Sequence, residues 1–180
     1  MAEALLISRN DIVKFTALNG NIDTDKFIQW IKVAQDIHIQ NYTGTDLLEK
    51  IKLDIVNNTL TGNYLTLTNL YLKPMLIHYA MVEYLPFSAY TIANKGVFKH
   101  TSENSTSVEK NEVDFLVEKE RMIAQNYTER FITYINFNNS LFPEYSTNSN
   151  SDMFPSTQNN FTGWYIWKRS TNQKKQILKN

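Results

Sequence analysis

Residues 70–87, LYLKPMLIHYAMVEYLPF, contain only three charged or strongly polar side chains, Lys73, His78 and Glu83. Spaced five apart, these point in three directions on a helix, so no solvent stripe is left and the helix must be covered on every side. That need sets the architecture, with one apolar helix at the centre and the other elements wrapped around it. Beyond Pro86 the chemistry changes. Phe87, Tyr90, Thr91 and Ile92 favour strand, and Asn94-Lys95-Gly96 signals a turn before Val97 and Phe98. This pattern predicts a hairpin near 87–99 beside the central helix.

The flanking segments read mostly as amphipathic helices. Ser8, three residues before Asp11, predicts a capped helix over 8–18 with Ile12, Phe15 and Leu18 on its inner face. Asp23 or Thr24 caps a longer one in which Phe27, Trp30, Ile31, Ala34, Ile37, His38 and Tyr42 recur at helical spacing, while Lys26, Gln29, Lys32 and Gln35 lie elsewhere. Thr43-Gly44-Thr45-Asp46 predicts a stop and a new cap, followed by a third helix through Leu47, Leu48, Ile51 and Ile55. Residues 59–67, with Gly62-Asn63, read as a loop. After a polar loop at 100–107, Ser107 caps the last long helix, in which Val113, Leu116, Ile123, Tyr127, Phe131 and Tyr134 form a broad stripe. Glu112, Lys119, Glu120 and Arg130 lie mostly off it.

The expected fold is therefore mainly α, a small helical bundle with a central buried helix, a β-hairpin and an extended C-terminal arm. Residues 1–140 make the core and 141–180 the arm. The Ser/Asn/Pro-rich part of the arm, 141–160, cannot bury a core alone, yet Phe142, Tyr145, Met153 and Phe154 are too apolar for a plain linker. Such a segment orders against a partner. Trp164-Tyr165-Ile166-Trp167 is apolar on both faces of a strand, a pattern suited either to an interface or to the domain's own sheet. Lys168, Arg169, Lys174, Lys175 and Lys179 then give a basic tail with no acidic residue.

Composition removes several function classes. The 180 residues suit one domain. Lys plus Arg equal Asp plus Glu at 18 each, so there is no overall field to hold nucleic acid or an acidic membrane. With no cysteine, disulfides, thiolate nucleophiles and thiolate metal sites are excluded. The N-terminal MAEALLISRND lacks the positive charge of an export signal. Residues 70–87 are too short and too interrupted to span a bilayer, so no membrane partner is expected. His38, His78 and His100 are dispersed and match no zinc spacing, which predicts core or boundary roles for the first two. No glycine-rich phosphate loop and no Gly-X-Ser-X-Gly elbow is present, and the expectation is a protein without a cofactor and without catalysis.

The order LISRNDIVKF, Ile31-x-x-Ala34-Gln35, Thr43-Gly44-Thr45-Asp46-Leu47, Tyr71-Leu72-Lys73-Pro74 and Ile92-x-Asn94-Lys95-Gly96 resembles the head-to-tail connector proteins of tailed phages, in particular the ring or neck proteins of crAss-like phages. The resemblance covers roughly residues 5–137. It implies a structural virion subunit, assembled in the host cytoplasm and located in the neck between capsid and tail. About twelve copies would form a ring below the portal protein, dock adjacent neck or tail proteins, and let genomic DNA pass through the lumen without sequence-specific binding. Ring closure requires two different surfaces per subunit. The expected ones are the hairpin and loop at 89–105 and the arm at 141–167, with Tyr90, Ile92, Asn94, Lys95, Phe98, Phe142, Tyr145, Phe154, Trp164, Tyr165, Trp167, Lys168 and Arg169 as interface residues. Glu112, Lys119 and Glu120 are expected to face the lumen. The alternative is a small helical nucleic-acid-associated protein of the same phage that uses the basic tail and stacking aromatics.

Overall fold

The structure is a computed structural model that describes residues 4–18, 24–88, 90–93, 96–99, 109–147, 149 and 152–157, with the backbone alone described at 24–26, 91–93 and 96–99. It is mainly helical. Ser8 caps α1 (Arg9–Phe15) in a reciprocal box, its side chain accepting from the Asp11 N–H and its own N–H donating to the Asp11 carboxylate at 2.8 Å. Ile12 enters the core, but Phe15 turns outward and is more than half exposed.

α2 (Thr24–Ala34) passes through a π turn, Gln35–Ile39, into α3 (Gln40–Val56). The Gln40 N–H reaches back five residues to the Gln35 carbonyl. The extra residue in that turn rotates the helix face. The buried positions are consequently Gln35 and Ile39, whereas Ile37, expected inside, is 55% exposed. Gln35 has no solvent contact, and both ends of its amide are hydrogen-bonded. Its Oε1 accepts the Leu6 N–H at 2.9 Å and its Nε2 donates to the Ala4 carbonyl at 3.0 Å, which ties the N-terminal segment across the bundle. A buried amide satisfied at both ends offsets its own desolvation.

The expected break at Thr43–Asp46 is a kink inside α3. Gly44 has φ 72° and ψ 167°, a conformation reserved for glycine. α4 (Gly62–Leu67), a second π turn at Thr68–Leu72 and α5 (Lys73–Tyr84) then form one continuous rod, so the residues expected as a loop are helical from Gly62 onward. Gly62 and Asn63 fall in the first turn, where N–H groups lack helical partners in any case. Pro74 cannot donate to the Leu70 carbonyl, and the turn before it widens so that the Lys73 N–H bonds Thr68 five residues back.

α5 lies between α2 and α6 (Lys110–Phe137), as its all-round apolarity requires. Met75, Leu76, Ile77, Tyr79, Ala80, Met81 and Val82 are all buried. A short 3₁₀ turn, Leu85–Phe87, leads to β1 (Tyr90–Ala93), which pairs antiparallel with β2 (Gly96–Lys99). The turn residues Asn94 and Lys95 lie outside the described residues. α6 is about 42 Å long. Its N-cap is Glu109, boxed with Glu112; Ser107, expected to cap it, lies outside the described residues.

The clearest correction concerns the start of the expected arm. Phe142 is wholly buried and Tyr145, on α7 (Pro143–Thr147), is 7% exposed. Phe142 meets the Tyr64 ring edge-on at 5.4 Å and Tyr145 meets Phe131 at 6.4 Å. Both close this domain's own core and are unavailable to a partner while the chain is folded. Residues 152–157 then run across the α3 kink as a strap. The Thr45 N–H donates to the Met153 carbonyl at 3.0 Å, and the Ser156 N–H to the Asn41 carbonyl at 2.8 Å. The kink releases these backbone groups from the helical ladder, and the strap satisfies them. Asp152 accepts from Thr45 Oγ1 at 2.9 Å and from Gln40 Nε2 at 3.1 Å.

Candidate interaction surfaces

Both described histidines bind helix to helix. His38 Nε2 lies 2.8 Å from Glu83 Oε1 and its ring stacks on Tyr79 at 4.0 Å; His78 Nδ1 lies 2.7 Å from Glu120 Oε2 and stacks on Tyr127 at 5.5 Å. Burial holds the His38 pKa below its ordinary value, against the opposing pull of Glu83. The first pair joins the π turn to α5 and the second joins α5 to α6, so the three polar side chains of the central helix read in the sequence include two that fasten it sideways. Tyr79 and Thr128 add a third link at 3.2 Å. His100 lies outside the described residues.

These contacts determine how α6 faces the bundle. Val117, Ala124, Thr128, Phe131 and Ile135 make its buried face. The expected stripe is rotated from this one. Leu116 and Ile123, expected inside, are exposed, and Glu120, expected toward a lumen, turns in to His78. Small residues set the seam, since Ala124 and Thr128 opposite α5 permit an approach that bulkier neighbours would block. A stripe drawn from apolarity alone overlooks them.

The rotation leaves several large apolar side chains exposed on the far side of α6. At 3.6 residues per turn, Phe115, Leu116, Met122, Ile123, Arg130, Tyr134 and Phe137 fall within a sector about 120° wide away from the buried residues, interspersed with Glu112, Lys119, Asn126 and Thr133. Phe115, Met122 and Phe137 are 60%, 59% and 89% exposed. At the N-terminal half these side chains border a shallow groove lined by Asn111, Glu112, Phe115 and Leu116. At the C-terminal half they line an open groove of about 540 Å³ together with Tyr71, Asn126, Glu129, Thr133 and Asn138. Tyr71 and Tyr134 stack at 4.1 Å, and the Arg130 guanidinium sits 5.8 Å from the Tyr71 ring and 5.4 Å from that of Tyr127. No carboxylate among the described residues pairs with Arg130.

The expected interface residues are placed as follows. Tyr90 is half exposed and Phe154 is 68% exposed, so both remain accessible. Phe142 and Tyr145 are core, as described. Ile92 and Phe98 lie in β1 and β2, where only the backbone is described. Asn94, Lys95, Trp164, Tyr165, Trp167, Lys168 and Arg169 lie outside the described residues. Sequence reasoning missed these exposed residues because the stripe drawn through Val113, Leu116, Ile123, Tyr127, Phe131 and Tyr134 left Phe115, Met122 and Phe137 out. The signal that could have found them is that Phe115, Met122 and Phe137 fall within about 60° of one another on a helix, away from Phe131.

Among the described residues no group of three His, Asp or Glu side chains is placed to hold a metal ion, and no helix is long and apolar enough to cross a membrane. The chain belongs to the family of unknown function DUF6712, whose model matches residues 39–155. The matched span opens at the end of the first π turn and closes at Pro155, which packs on Gly44. Comparison with curated proteins and with solved structures returned no match.

Proposed function

We propose that this protein is a structural virion subunit, a head-to-tail connector that forms a ring below the portal, extends the DNA channel and docks neck or tail components. The observation that carries the reading is α6, a helix packed into its own domain on one face and exposing Phe115, Leu116, Met122, Ile123 and Phe137 among polar side chains on the other. Large exposed apolar side chains gathered along one element mark a site of association. The sequence resemblance to phage ring proteins supplies the kind of assembly.

In this reading the β1–β2 ribbon and the residues beyond 157 supply further contacts to the portal or the next ring, and Tyr90 and Phe154 are accessible anchors for them. Work of this kind needs no cofactor. The even balance of acidic and basic residues suits a channel through which DNA slides without being held. Affinity capture of the chain co-expressed with its cognate portal tests the proposal. Recovery of a stoichiometric complex supports it. Failure to recover the portal, combined with DNA binding that weakens about tenfold or more as salt rises from about 50 to 200 mM, would replace it with the nucleic-acid-associated reading.

A further inference from the structure

We infer that neighbouring copies join head to tail, Phe154 on the strap of one copy seating in the groove at Tyr71, Arg130, Tyr134 and Phe137 of the next. This rests on the ring reading, and it gives Phe154, one of its accessible anchors, a second copy of this chain as partner. The two surfaces are borne on different elements. The strap crosses α3, which packs on α7 and the first π turn, whereas the groove is built on α6 and Tyr71, where α6 meets α5 and the second π turn. Both stand open in one folded copy, since Phe154 is 68% exposed and the groove is an open space of about 540 Å³. A copy therefore leaves its own groove unfilled and keeps one surface for each neighbour.

The strap presents Phe154 from a fixed backbone. The bonds from Thr45 to Met153 and from Ser156 to Asn41 hold the chain on either side of it, and Pro155 packs on Gly44, so little ordering is left for association to cost. Two residues earlier, Asp152 is exposed; Thr45 and Gln40 both donate to its Oδ2, and Oδ1 keeps acceptor capacity. The groove complements both side chains. Tyr71 and Tyr134 stack into an aromatic floor beside Phe137, and the Arg130 guanidinium lacks a carboxylate among the described residues. Glu129, the acidic residue in the lining, is adjacent to Arg130 in sequence and so lies about 100° from it around the helix. Arg held over tyrosine rings is pre-ordered for a carboxylate, and an aromatic anchor in such a pocket is where interface energy concentrates. Because strap and groove differ, the contact is heterologous, and the rotation between successive copies decides closure into a ring.

The test places the photo-crosslinker p-benzoylphenylalanine at position 154 of the full chain and mixes it with isotope-labelled unmodified chain, with and without the cognate portal. Irradiated products are mapped by mass spectrometry, and the same samples are imaged for rings. The expected product joins position 154 of one copy to Tyr71 or residues 126–138 of another, and its yield falls roughly tenfold in Arg130→Glu and in Phe137→Glu. Positions 130, 137 and 154 are exposed, and circular dichroism checks that the variants stay folded. Rings whose cross-links from position 154 map to the portal, elsewhere on a neighbouring copy, or only within one chain would overturn this interface and leave the ring reading standing. Absence of both rings and intermolecular cross-links in the presence of the portal would overturn the two together.

Discussion

Gly44 is the residue on which the most backbone geometry converges. A side chain there is excluded twice, by φ 72° with ψ 167° and because an added Cβ would lie 2.8 Å from Cδ and Cγ of Pro155. Gly44→Ala is expected to lose about 1–3 kcal/mol from backbone strain alone, with a further loss from displacing the strap. Urea denaturation measures this. Pro155→Ala in the same chain should recover part of the second loss and none of the first. His38 makes stability depend on pH. Its pKa is lowered in the fold, so as pH falls the unfolded chain takes up a proton before the folded one does. Its contribution is complete above the ordinary value of 6.5 and is lost as pH falls toward and through the lower folded value. Thermal melts from pH 7.5 to 5 should therefore show a declining midpoint, with a shallower decline in His38→Gln. An unchanged slope in that variant would contradict the role assigned to burial.

At the scale of elements, the structure separates aromatic residues that the sequence presents alike. Phe142 and Phe154 sit in one Ser/Asn/Pro-rich stretch, and both read as interface residues. Phe142 fills the space between Tyr64 and Tyr134, whereas Phe154 projects from the strap. Phe142→Ala is expected to cost about 3–5 kcal/mol, and Phe154→Ala less than about 0.5 kcal/mol in the isolated chain, both read from denaturant midpoints. The central helix was legible because apolarity on all sides has one meaning. The first helix cap was legible because Ser8 and Asp11 act within one turn. The first π turn was not, since i→i+5 bonding at Gln35–Ile39 accompanies Gln35 reaching Ala4 and Leu6, partners about thirty residues away. The same holds for the strap, whose bonds to Asn41 and Thr45 span more than a hundred residues and leave no local pattern.

For the whole molecule, the feature with functional weight is that α6 has two working faces. One joins α5 through small residues and the His78–Glu120 pair, and the other exposes Phe115, Met122 and Phe137 beside the groove at Tyr71 and Arg130. The first was partly legible as a helical stripe. The second was hidden because its direction depends on how α6 is rotated, and tertiary contacts set that rotation. The central claim is that the chain assembles as a connector on a portal. Its most direct test is to co-express the full chain with the cognate portal and image the purified particles by negative-stain electron microscopy. A second ring stacked on the portal, with its symmetry visible in end views, is the predicted result. Bare portal rings beside free chain would contradict the account.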